Sequence, residues 1–260
     1  MRTIRFRTAD GAVHEATVVD GTAVEHALPA GATLVRPIDP PEVWCAGVTY
    51  ERSRDARIEE SGSDVYARVY DADRPELFLK DAGCRRTVGP GEPIAIRSDA
   101  SWNVPEAEIG VVLGADLGIA GYVIGNDVSS RDIEGANPLY LPQAKVFAAA
   151  CAIGPAVYVP ADWDAPLSIK LTIRDAGGAV LFTGSTSTAR MKRTFSELVS
   201  WLVHDNPVPP GSVLLTGTGL VPPDEFTLLP GHAVEIHVPE IGTLTNPVVA
   251  ARDVIERNPR

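Results

Sequence analysis

The chain has 260 residues, 45% of them hydrophobic and 22% charged, and its formal net charge is −11. A chain this long buries ~70% or more of the surface its unfolded form exposes, so no metal or disulfide staple is needed, and the composition excludes general disorder. The surplus of negative charge argues against a nucleic-acid partner, because nothing would offset repulsion from phosphate.

Residues 1–38 read as a small N-terminal β domain. Thr3 to Arg7 alternates with period two, and Asp10-Gly11 turns the chain towards Val13 to Val19. A second Asp-Gly pair, Asp20 and Gly21, follows at once. Pro37, Pro40 and Pro41 then mark a boundary, after which residues 39–260 form the main domain. Val43 to Val48 reads as a buried strand and Tyr50 to Glu60 as a charged helix. Further strands are predicted around Leu77 to Leu79, Ile94 to Ile96, Glu106 to Leu113 and Ile119 to Ile124. Later ones follow at Leu167 to Ile173, Val180 to Phe182, Val213 to Thr216 and Val234 to Val238. The strongest helix signal is Arg193 to Val203, with Phe195, Leu198, Val199 and Leu202 at helical spacing. Helices are few and do not alternate with strands, so the fold class is α+β, mainly β, and not a doubly wound sheet.

No apolar run approaches the ~18 residues of a spanning helix, and Met1 to Arg7 alternates charged and apolar residues where a signal peptide needs a continuous stretch. Three cysteines, Cys45, Cys84 and Cys151, lack CxxC spacing. The expectation is a cytoplasmic protein with reduced thiols and no membrane partner.

Trp102-Asn-Val-Pro-Glu106-Ala-Glu108-Ile-Gly110 carries the chemistry. In a strand, residues i and i+2 share a face, so Glu106 and Glu108 project side by side. Two such carboxylates repel unless solvent, a proton or a cation compensates. Asp127 ends the next apolar segment, where a third carboxylate can converge. Three oxygen ligands suit a hard divalent cation, Mg²⁺ first, with Mn²⁺ or Ca²⁺ as alternatives. Spacing alone leaves a second reading open, in which both glutamates face water and Asp127 is a turn residue.

The order Glu106-x-Glu108-Ile109, Gly125-Asn126-Asp127-x-Ser129-x-Arg131-Asp132, Lys145 and Leu215-Thr-Gly-Thr218-Gly219 resembles the fumarylacetoacetate hydrolase family, over about Val43 to Pro247. The resemblance implies a mixed β-roll assembled as a homodimer or dimer-based oligomer, with Glu106, Glu108 and Asp127 as metal ligands. Hydrolases of this family carry Tyr-x-x-His-x-x-Glu after the first strand, the His and Glu activating water. Here Tyr50 is followed by Ser53 and Ala56 at those positions. Serine cannot take a proton from water near neutral pH, so water-splitting hydrolysis is disfavoured. Val43 to Tyr50, Pro75 to Lys80 and Ser130 to Lys145 look like the branch of the family that dehydrates 2-keto-3-deoxy-D-arabinonate, with Ala136 and Ala148 to Ala150 as departures.

The expected function is therefore a Mg²⁺-dependent lyase acting on a small 2-keto acid, a 2-keto-3-deoxy sugar acid. A cation chelated by the carboxylate and keto oxygens stabilises the enolate left when a base removes a C3 proton, and an acid assists loss of the C4 hydroxyl. Lys145 is the candidate base or proton shuttle and Glu76 the second proton-transfer group. Lys80, Ser129, Arg131, Thr188 and Thr218 match family positions that contact substrate, and for Arg131 a structural ion pair is an equal reading. The alternatives are a metal-dependent hydrolase or decarboxylase of acylpyruvate-type diketo acids, and a non-catalytic keto-acid-binding member. Tyr50 to about Tyr70, charged and poor in apolar residues with a joint at Ser61-Gly62-Ser63, is expected to be a mobile lid. Glu106→Ala and Asp127→Ala are expected to leave metal-free stability unchanged or higher, by relieving repulsion.

Overall fold

The computed structural model describes residues 1–19, 22–62 and 64–257; the Asp20-Gly21 turn and Ser63 of the expected joint lie outside them. The chain opens with β1 (Arg2–Arg7), β2 (Val13–Val18), β3 (Thr33–Leu34) and β4 (Glu42–Gly47). Helices α1 (Glu51–Ser61) and α2 (Val65–Asp71) precede β5 (Glu76–Ala82), β6 (Thr87–Val88), β7 (Ile94–Ile96) and β8 (Asn103–Val104). Then come β9 (Ala107–Leu113), β10 (Ile119–Asp127), β11 (Ser129–Ser130), α3 (Arg131–Ala136) and α4 (Leu141–Lys145). The chain continues through β12 (Cys151–Tyr158), β13 (Ser168–Arg174), β14 (Val180–Ser187), α5 (Phe195–Val203) and β15 (Val213–Leu215). It ends with β16 (Ala233–Val238), β17 (Gly242–Ala250) and α6 (Ala251–Arg257). No helix among the described residues is long and apolar enough to cross a membrane.

Among the described residues the main sheet runs β2-β1-β12-β10-β9-β15-β4-β5, with β3 on β1 and β6 on β12. A second sheet runs β14-β13-β16-β17-β7. The first hairpin turns at Gly11, where the Asp10 carboxylate accepts from the Thr8 hydroxyl (2.6 Å) and the Ala12 N–H (3.1 Å). Its strand β1 pairs antiparallel with β12, Arg2 opposite Tyr158, so the expected boundary at 38/39 falls within one continuous sheet. Two expected strands run longer, β10 to Asp127 and β14 to Ser187.

Every residue of β9 is buried, because the strand is covered on both faces. On one face Ile109, with Ile124 of β10, joins a core shared with Ile169 and Leu171 of β13 and Ile236 of β16. On the other face Val112, Val123, Cys45, Cys151, Val213 and Leu215 make a smaller apolar cluster. Period-two alternation therefore decides where each polar side chain goes. Glu108 follows Val112 on the small-cluster side, Asp127 follows Val123, and Gly47 follows Cys45. The functional face is the continuation of that cluster beyond its apolar end.

Candidate active site

Antiparallel register sets the three carboxylates together. Gly125 stands opposite Glu108, and the Asp127 N–H donates to the Glu106 carbonyl at 3.0 Å. Glu106 and Asp127 are thus cross-strand neighbours with Glu108 on the diagonal. One oxygen from each lies within 4.8 Å of the others, and all three residues are buried. The reading in which the glutamates face water is excluded.

Two lysines hold the cluster. Lys145, the last residue of α4, donates to Glu106 Oε2 (2.6 Å), Asp127 Oδ2 (3.0 Å) and Ser129 Oγ (2.6 Å). Lys80 of β5, with no exposed surface, ion-pairs Asp127 and donates to the carbonyls of Val128 (3.0 Å) and Lys145. An ammonium has only three donors, so those of Lys145 are all committed to protein. Ser129 in turn donates to the Asp127 carbonyl at 2.9 Å.

Charge is unevenly balanced across the three acids. Burial raises the Asp127 pKa, but Lys145 and Lys80 outweigh it and hold the carboxyl below its usual range. Glu108 is the opposite case. Burial, then Asp127 and Glu106, push it well above the usual range, more than Lys145 and the Gly217 N–H (2.6 Å) offset. A buried carboxylate that its surroundings fail to stabilise, beside two more oxygen donors, fits a hard divalent cation. The relief expected from deleting a carboxylate thus applies to Glu108. It does not apply to Asp127, whose removal strips counter-charge from two buried lysines. Lys145 itself is disfavoured as a cation by burial, yet Asp127, Glu106 and Glu134 overcome this and hold its pKa well above the ordinary lysine range.

Two residues absent from the sequence-level site complete it. Arg57 of α1, 5% exposed, reaches Glu106 Oε1 at 2.5 Å and Glu134 Oε1 of α3 at 3.0 Å. Ser53, Ala56 and Arg57 form the buried face of α1, at i, i+3 and i+4. The Ser53/Ala56 departures pointed to that face, and Arg57 is its next position. Glu76 stands directly opposite Gly47, at the cavity wall. Its pKa is pushed up to about 7, by burial first and then by Glu134.

These side chains enclose a cavity of about 20 Å³, lined among others by Ser53, Arg57, Glu76, Glu134, Lys145 and Thr218. That is room for about one water, and not for a keto acid. Among the residues expected to contact substrate, Thr218 lines the cavity, its hydroxyl accepting from the Leu220 N–H at 3.1 Å. Lys80 and Ser129 lie behind the carboxylates, and Arg131 stands 3.6 Å from Glu106. The structure does not bring Thr188 to this cluster. Thr188 accepts from the Leu167 N–H at 2.9 Å and lines a separate surface cavity with Tyr122 and Phe195.

The family model for the fumarylacetoacetate (FAA) hydrolase C-terminal domain matches residues 42–249. A probable 2-keto-3-deoxyxylonate dehydratase of Haloferax volcanii is 48% identical over 95% of this chain and 83% of its own. The 2-dehydro-3-deoxy-D-arabinonate dehydratase of Saccharolobus solfataricus is 44% identical over 85% of this chain and 76% of its own. A 2-keto-3-deoxy-D-arabinonate dehydratase solved with magnesium and 2,5-dioxopentanoate superposes with a TM-score of 0.84 at 36% identity, covering 96% of this chain and 99% of that one.

Proposed function

The chain belongs to the fumarylacetoacetate hydrolase family, and from that premise we propose that it is a Mg²⁺-dependent hydro-lyase removing water from a 2-keto-3-deoxy sugar acid. The observation that carries the reading is the buried trio Glu106, Glu108 and Asp127 with Lys145 on two of its members, at a cavity lined by Ser53 of α1, where Ser53 and Ala56 supply no water-activating pair. The three carboxylates would hold the ion. When bound, it supplies Lewis-acid polarisation of the substrate's carboxylate and keto oxygens, which acidifies the C3 proton.

The protein's own groups handle the protons. Lys145 Nζ is fixed by Ser129 beside Glu106 and Asp127, and it takes the C3 proton. The carboxylates that hold its charge are the ones that would ligate the ion, and shared with a cation they would favour the ammonium less, which suits Lys145 to act as a base. Glu76, with a pKa of about 7, is roughly half protonated at neutral pH and delivers a proton to the leaving C4 hydroxyl. Thr218 contacts substrate, whereas Lys80, Ser129 and Arg131 act by positioning Asp127, Lys145 and Glu106. Loss of the C3 proton and the C4 hydroxyl leaves a 3,4-unsaturated keto acid with its C5 hydroxyl intact; loss of a C5 proton and return of one to C3 turns this into the isomeric 2,5-dioxopentanoate, the compound bound in the solved relative. We further propose a homodimer or dimer-based oligomer, on the family resemblance, and a place in the cytoplasm, on the sequence pattern; sedimentation and fractionation test them.

The deciding experiment offers the Mg²⁺-loaded protein 2-keto-3-deoxy-D-arabinonate and, separately, an acylpyruvate. Aldehyde formation from the first and no pyruvate from the second is the expected result. Pyruvate released from the acylpyruvate, with no water lost from the sugar acid, overturns the proposal.

A further inference from the structure

Glu134 is 4% exposed and lines the cavity, yet only one of its carboxylate oxygens is partnered. Oε1 accepts from Arg57 Nε at 3.0 Å, while Oε2 is buried and accepts from no protein group among the described residues. A buried carboxylate oxygen without a donor weakens the fold, so such a group is retained where something else donates to it.

The position indicates what that donor is. Arg57 spans Glu106 and Glu134, so Glu134 stands one guanidinium beyond the nearest cation ligand. A keto acid held at the cation ligands through its carboxylate and keto oxygens has only its tail left to reach Glu134. An ionised carboxylate is acceptor-only. It pairs with a hydroxyl, gains nothing from a hydrocarbon tail, and repels a second carboxylate.

We infer that Glu134 is the specificity-determining residue for the substrate tail, its free oxygen accepting a hydrogen bond from the terminal hydroxyl of the keto acid. This deepens the dehydratase reading and rests on it for the placement of the keto-acid head. Arg57 is the positioning residue: by occupying Oε1 it leaves Oε2 for the ligand. A site built to bond a hydroxyl discriminates strongly against the analogue lacking it, because the wrong ligand leaves the buried acceptor unpaired.

The test is calorimetric titration of the Mg²⁺-loaded protein with 5-hydroxy-2-oxopentanoate and with 2-oxopentanoate. Neither has a hydroxyl at C4 to eliminate, so binding is read without turnover. The unmodified protein is expected to prefer the hydroxylated acid by about tenfold or more. Glu134→Met, of similar size but without the acceptor, should erase the preference while leaving 2-oxopentanoate affinity within about twofold. Equal affinity of the unmodified protein for both acids overturns the inference, and that arm needs no variant to fold. An equal loss for both ligands in Glu134→Met also overturns it, by making Glu134 structural. Preference without dehydration of any sugar acid upholds Glu134 and removes the dehydratase reading. Dehydration without preference does the reverse, and binding of neither acid overturns both.

Discussion

At Gly47 the absence of a side chain decides where a carboxylate stands. A Cβ there would overlap Glu76 Oε2, its cross-strand partner, so the glycine opens the space that Glu76 occupies at the cavity wall. Gly47→Ala should push the flexible end of Glu76 aside while leaving Glu106, Glu108 and Asp127 untouched. A misplacement of that size costs about 100-fold in kcat with Mg²⁺ affinity unchanged, and unaltered turnover would show that Glu76 takes no part. Gly217 is constrained differently. Its φ of +89° favours glycine, a Cβ would collide with Thr49 Oγ1, and its N–H is what Glu108 accepts. Glu76 also sets a pH dependence in the metal-free protein. Its folded pKa of about 7 lies above the ordinary 4.5, so the fold favours the protonated form. That contribution is fully present below the ordinary value and is lost as pH rises through 7. Glu108, raised for the same reason, acts in the same direction. Urea unfolding without metal should therefore show stability falling from about pH 5 to pH 8, Glu76 contributing up to about 1.4 kcal/mol per pH unit where it titrates. Glu76→Gln should flatten the slope, and a variant as steep as the parent would show that Glu76 does not titrate there.

At the scale of elements, α1 closes the site with little apolar surface of its own. Its inward face is Ser53, Ala56 and Arg57, and it ends at Gly62, whose N–H donates to the Ile58 carbonyl at 2.9 Å. An element with so little buried apolar surface lies at the low end of local stability, and a cavity of about 20 Å³ must open before a keto acid enters. Amide exchange across Glu51–Ser61 should be fast in the free protein and slow several-fold with Mg²⁺ and a keto acid. Exchange that ignores the ligand would make α1 a fixed wall. The period-two rule made the pairing of Glu106 with Glu108 legible in the sequence, and the end of an apolar strand made Asp127 so. Which face they occupy was not legible, because β9 is covered on both sides and alternation marks only sides, not burial. Strands β12 and β17 escaped notice because Pro155 and Pro247 interrupt them. The first lies where β10 and β12 shift register, and the second pairs with Ala233 in the second sheet. The Arg57–Glu134 pair joins helices far apart in the chain, and no local spacing encodes such a contact. Thr188 shows the converse, a family position matched in sequence that the fold places elsewhere.

For the whole molecule, the three buried acids do not contribute equally to the metal-free fold. Asp127 is tied to Lys80 and Lys145, and Glu106 to Lys145 and Arg57, so these two acids are part of a buried ion-pair network that supports the fold. Glu108 has one backbone donor and two repelling neighbours. Removing Asp127 leaves buried ammonium groups short of counter-charge, and Asp127→Ala should lose about 3–5 kcal/mol of metal-free stability. Glu108→Gln keeps the shape and the acceptor for the Gly217 N–H while removing the repulsion, so metal-free stability should rise. Metal linkage then separates the roles. Mg²⁺ at 100 times its dissociation constant should stabilise the parent by about 2.7 kcal/mol. Glu108→Gln should show almost none of that gain, because the ligand that most needs the cation is gone. Thermal unfolding of both variants, with and without Mg²⁺, measures the four quantities together. If Glu108→Gln proved less stable than its parent without metal, Glu108 would be a structural acid, and the strain assigned to it would lie elsewhere in the cluster.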